Sequence, residues 1–178
     1  MDLLRIGEKL ISPGRIERAV ERILHLRSRG HSQQEVAEQL GIDRTFISRL
    51  ESLGEVRKGG RLALIGFPIG NKEEIEAVAR KEGVDYALVM TDSERWEFAE
   101  ERSGVALANE LMVIFSKLRD FDTVIFLGSD MRIKLVEAML EPGAVLGIEL
   151  GKSPMQEDKY VDPLELQALI RSLMGNFS

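Results

Sequence analysis

Six residues of this 178-residue chain stand where a small ligand would be held: Gly66, Gly70, Asn71, Asp92, Ser129 and Asp130. Each follows a short apolar run, and in open α/β sheets ligands sit beyond the carboxyl ends of the strands. Gly66 and Gly70, with Asn71 capping a helix, can place backbone N–H groups around an anion. Ser129 resembles this at the third run. Asp92 follows the second, where some nucleotide folds bind ribose, and Asp130 can lie near it as a weak acidic pair. A fourth loop, Gly151-Lys152-Ser153, completes the set. The stretch GFPIGN is neither the dinucleotide fingerprint nor the P-loop. Tight strand-to-helix turns need the same glycines and caps, so plain connections remain an alternative.

Other chemistry is excluded or unsupported. The first run ends Phe67-Pro68-Ile69-Gly70, without the clustered acids of a phosphorylation receiver. Both histidines, His25 and His31, lie near the N-terminus, so Ser129 has no histidine in its own part of the chain for a Ser-His triad. With no cysteine there is no disulfide framework, thiol catalysis or cysteine zinc site, which suits a reducing cytosol. Neither an enzyme nor a cofactor or metal is expected. No run of about 18 apolar residues exists, so a cytoplasmic protein without membrane attachment is expected.

The elements that position these loops alternate. Leu62–Gly66, Tyr86–Met90, Thr123–Leu127 and Ala144–Ile148 read as buried strands. Between them the spacing predicts a helix opened by Asn71 and Glu74. A second helix runs over 104–118, with Ala108, Leu111, Met112 and Phe115 inward. Further helices run from about Met131 to Leu140 and from Pro163 behind an Asp162 cap. Residues 92–103 are charged and show no clean period, and Trp96 and Phe98 read as core-facing. The expectation is an α/β fold: a Rossmann-like or flavodoxin-like three-layer sandwich on a parallel sheet of about four strands.

The chain before this is different. Residues 1–60 carry eleven Lys/Arg and nine Asp/Glu, a net +2, whereas 61–178 carry thirteen and twenty-one, a net −8. The paired glycines of Lys58-Gly59-Gly60-Arg61 mark a hinge. A helical module over 1–58 and an α/β domain over 61–178 are therefore expected. In the first, Ile16, Ala19, Val20, Ile23 and Leu24 form one face of a helix from about Pro13 to Arg29. Ser32 and Glu35 make a capping box for a second helix ended by Gly41, and Asp43 caps a third from Arg44 to about Leu53. Residues 54–62 read as either a wing-like hairpin or a linker.

The stretch HSQQEVAEQLGIDRTFISRLE resembles the phage-repressor (Cro-like, XRE) class of helix-turn-helix transcription regulators in its cap, small alanine, turn glycine and paired aliphatics. The resemblance covers about 25–30 residues and implies that Gln33 touches a DNA phosphate and that Arg44, Thr45 and Ser48 meet base edges. Arginine can bond guanine bidentately, and threonine can offer its methyl to thymine. Arg49, Arg57 and Lys58 can reach the DNA backbone. The sequence is thus read as a homodimeric, sequence-specific regulator of transcription on double-stranded DNA, whose α/β domain pairs and senses a small-molecule effector. The alternatives are a nucleotide- or cofactor-using α/β enzyme with an appended helical module, or a protein-binding scaffold.

Overall fold

A computed structural model describes residues 3–175 except Arg57 and Pro142. Two compact units result, residues 1–55 and 56–178.

The first unit opens with an antiparallel hairpin, β1 (Leu4–Ile6) and β2 (Lys9–Ile11), which no sequence signal announced. Its strands are three residues each, too short for periodicity to register, and Leu4, Ile6 and Leu10 are exposed. Three helices follow: α1 (Pro13–Ser28), α2 (Gln33–Leu40) and α3 (Arg44–Gly54). The Ser32 hydroxyl accepts from the Glu35 amide while Glu35 accepts from the Ser32 amide, closing the expected capping box. Gly41 ends α2 at φ +64°, a left-handed conformation that costs a glycine little. Asp43 then accepts from the Thr45 amide and starts α3 after a three-residue turn. Ile23, Val36, Ala37 and Ile47 form a small core, one or two side chains from each helix. After Gly54 no strand forms among the described residues up to Arg61, so of the two readings for this stretch the linker is correct.

The second unit is a parallel sheet of β3 (Leu62–Gly66), β4 (Tyr86–Val89), β5 (Thr123–Ser129) and β6 (Val145–Gly151). Their order is β4-β3-β5-β6, which places the first strand inside and matches a flavodoxin-like sheet. Side chains alternate with the pleat. Leu62, Leu64, Ile125 and Leu127 face α4 (Lys72–Lys81) and α8 (Pro163–Met174). Ala63, Ile65, Val124 and Phe126 face α6 (Gly104–Leu118) and α7 (Asp130–Met139). The sheet is thus covered on both sides, as the apolar runs require.

Three expectations are corrected. Residues 92–100 are a helix, α5, opened by a capping box between Thr91 and Glu94. It has no buried residue and hence no apolar stripe to reveal it in the sequence. Trp96 on it is 56% exposed and not core-facing. In α6 the inward residues are Ile114, Phe115 and Leu118, whereas Ala108, Leu111 and Met112 face outward. That helix is apolar on more than one side, so spacing alone cannot choose its buried face.

Candidate functional site

The helical unit holds its polar side chains in a network centred on α3. Glu51 accepts from Arg27 Nε at 2.5 Å and from Gln33 Nε2 at 2.7 Å. These bonds, that of Arg27 first, hold the Glu51 carboxyl below the usual range. Gln33 Oε1 in turn faces Arg44 Nε at 3.5 Å. Gln33 and Arg44 are therefore brought together, and Gln33 is committed to Glu51 through its amide nitrogen. Thr45, Ser48 and Arg49 are exposed on α3, and Lys58 is exposed beyond it. Arg57 lies outside the described residues.

At the carboxyl edge of the sheet the six expected ligand residues fare differently. The loop after β3 keeps its N–H groups for the protein itself. Phe67 donates to Leu127, Ile69 to Met90 and Gly70 to Lys159. Gly66 lies inside the sheet, where a Cβ would press on Ile69 and Leu127 at 3.2 and 3.3 Å. Both glycines serve close packing and do not present amides to an anion. Asn71 does not cap α4 with its side chain. Its Nδ2 donates to the Val161 carbonyl at 2.8 Å and its Oδ1 accepts from the Val161 amide at 3.1 Å, clasping the segment before α8.

Asp92, Ser129 and Asp130 stay at the edge with definite partners or the lack of them. Asp92 Oδ1 accepts from Arg95 Nη2 at 2.5 Å, and its amide donates to Asp158 at 2.7 Å. Asp130 Oδ1 accepts from the amides of Ser153 and Met131, both at 2.9 Å. The Ser153 bond foremost holds the Asp130 carboxyl low. Lys152 Nζ stands 3.7 Å from Asp130. Ser129 is fully buried at the end of β5, and its hydroxyl has no hydrogen-bond partner.

Two arginines that sequence reasoning did not single out join this edge. Arg132, in the first turn of α7, lies with its guanidinium 5.1 Å from the Phe67 ring centroid, and its Nη1 is buried without a partner. Burial, then the positive charge of Arg95, hold Arg132 below the usual arginine range, with Asp92 opposing. Arg95 also donates to the Met155 carbonyl at 3.3 Å and stands 5.4 Å from the Trp96 ring. Both lie in the first turns of helices, α5 and α7, that follow strand ends the sequence marked as ligand-facing, but a surface arginine and a buried one look alike in sequence.

A different feature lies on α6. Val105, Met112 and Val113 are 74%, 65% and 66% exposed, and of its fifteen residues only Leu118 is fully buried. Glu110 is paired with Arg102 at 2.5 Å, and Lys117 lies 3.9 Å from the Tyr86 ring centroid. These are the helix's only charged residues, so the exposed apolar face is electrically neutral.

No helix among the described residues is long and apolar enough to cross a membrane, and no three His, Cys, Asp or Glu there gather as a metal set. No family model matches this chain, and no curated protein matches it. Among solved structures, that of the PhyR stress response regulator is similar at 20% identity over 88% of this chain, with a TM-score of 0.27. The chain spans 62% of that protein's length. The expectation of a sequence-specific DNA-binding transcription regulator is corrected here. In the helical unit the side chain assigned to DNA phosphate, Gln33, is held by Glu51 and faces Arg44.

Proposed function

We propose that the chain is a non-catalytic regulatory protein that acts by binding protein, and that its α/β unit pairs with a second copy of itself through α6. The observation that carries this reading is the exposed apolar face of Val105, Leu111, Met112 and Val113. Contiguous apolar surface on a soluble unit marks an interaction site, because leaving it in water forgoes about 25 cal/mol for each Å² that could be buried. The occupant follows from charge. Residues 61–178 carry a net −8, so two copies repel unless they meet at a neutral surface. The outward face of α6 is such a surface, and a two-fold axis there lets each copy present the same residues. The helical unit, which resembles the phage-repressor class in sequence, is in this reading a contact module for another protein.

Light scattering on the eluting full chain tests the pairing. A dimer mass is expected, falling to the monomer in Met112→Glu while the far-ultraviolet circular dichroism stays that of the parent. A monomer across the accessible concentration range would sink this reading.

A further inference from the structure

We infer that Arg132, Ser129 and Arg95 form a recognition site for the carboxylate of a small molecule, at the carboxyl edge of the sheet between β3 and β5. This inference does not depend on the pairing of α6.

The position is the first reason. From β3 the chain passes outward to β4 and then back across to β5, so strand order reverses between β3 and β5. Open α/β sheets leave a crevice at such a reversal. Phe67 leaves β3 and Arg132 follows β5, and these are the two residues stacked at 5.1 Å.

The second reason is the unmet bonding. A buried polar group without a partner costs about 1–3 kcal/mol, so native structures keep few of them. Among the described residues two such side-chain atoms occur, Ser129 Oγ and Arg132 Nη1, and they lie three residues apart at the start of α7. One is a hydroxyl donor and the other a guanidinium donor, so an acceptor of two hydrogen bonds satisfies both. The helix N-terminus itself is not the site, because the Met131 amide already donates to Asp130.

Charge then selects the ligand. Arg132 remains protonated, since arginine does not lose its proton in proteins. Its neighbour Arg95 is engaged with Asp92 at 2.5 Å, and among the described residues Arg132 itself forms no ion pair. A single negative charge with two acceptor oxygens fits the remainder, and that describes a carboxylate better than a phosphate dianion. The Phe67 ring beneath Arg132 keeps the guanidinium plane fixed and excludes water from one side.

The full chain reports on the site directly, because its single tryptophan is Trp96, beside Arg95. Sodium acetate, inorganic phosphate and sodium chloride are titrated at constant ionic strength. Trp96 fluorescence and the arginine Nε–H and Ser129 amide resonances are followed. Acetate is expected to move the Arg132, Arg95 and Ser129 signals saturably, and Arg132→Gln to weaken the apparent Kd by about tenfold or more. Ser129→Ala is expected to weaken it less, leaving the Arg132 signal responsive. If phosphate saturates these signals and acetate does not, the carboxylate assignment is wrong. If chloride matches acetate, or acetate moves only other residues, there is no site. Should Arg132→Gln fail to fold, the parent chain's resonance map decides alone.

Discussion

Arg27 Nε donates to Glu51 Oε1 at 2.5 Å, tying the last turn of α1 to α3. Gln33 of α2 donates to the other oxygen of the same carboxylate, so one side chain joins all three helices. Among the described residues the core beneath has four buried side chains, which makes a polar tie of this kind matter more than in a larger domain. Replacing Glu51 by Ala leaves Arg27 and Gln33 without their acceptor. A loss of about 1 kcal/mol is expected, the pair being about one-third exposed. Hydrogen exchange on the full chain should show faster exchange across α1–α3 and unchanged protection in β3 and β5.

The same carboxylate gives the helical unit an acid limit. Glu51, Glu35 and Asp43 all ionise below their usual range, held by Arg27, the Ser32 amide and Thr45 respectively. A depressed carboxyl contributes stability that is present above its unfolded value, near pH 4, and is lost as pH falls through its folded value. Melting temperature should therefore be flat from about pH 7 to 5 and fall below about pH 4. A fall that sets in between pH 7 and 5 would exclude these groups as the cause.

Ile47 on α3 is fully buried among Ile23, Val36 and Ala37. Truncating it to Ala removes three methyl-sized groups from a core too small to close the gap. The expected cost is about 2–5 kcal/mol, enough to unfold residues 13–54 selectively. Limited proteolysis should then cut in α1–α3 while the α/β unit survives as a resistant fragment.

Gly60 takes φ +77°, and a Cβ there would collide with the Asp122 carboxylate, which accepts from the Arg61 amide at 2.8 Å. Gly60→Ala meets both the left-handed penalty of about 1–2 kcal/mol and the loss of that bond. Gly59, also left-handed but with open space around its Cα, should tolerate alanine better. Denaturant midpoints of the two variants should separate in that order.

What is legible in the sequence follows from local chemistry. The Ser32–Glu35 box, the Gly41 terminus, the Asp43 and Asp162 caps, and the four apolar strands each depend on residues within a few positions of one another. Such signals survive in one dimension. Asn71 shows the limit. Its spacing to Glu74 spells a cap, yet its side chain is drawn to Val161, ninety residues away. Local pattern could not show that a distant backbone segment offers both a donor and an acceptor.

The same limit separates the parts of the candidate site. Sequence alone determined that loops at the carboxyl ends of parallel strands would gather at one edge, because apolar strands alternating with helices admit few other arrangements. Only the tertiary structure decided what those loops hold. Burial at the β3–β5 reversal left Ser129 Oγ and Arg132 Nη1 unpaired, while the glycine-loop amides found partners within the protein. Which face of α6 is covered was likewise decided by packing, since a helix apolar on several sides has no preferred inward direction until a sheet lies against it. Residue types set what each side chain can donate or accept, and the fold sets whether a partner is there.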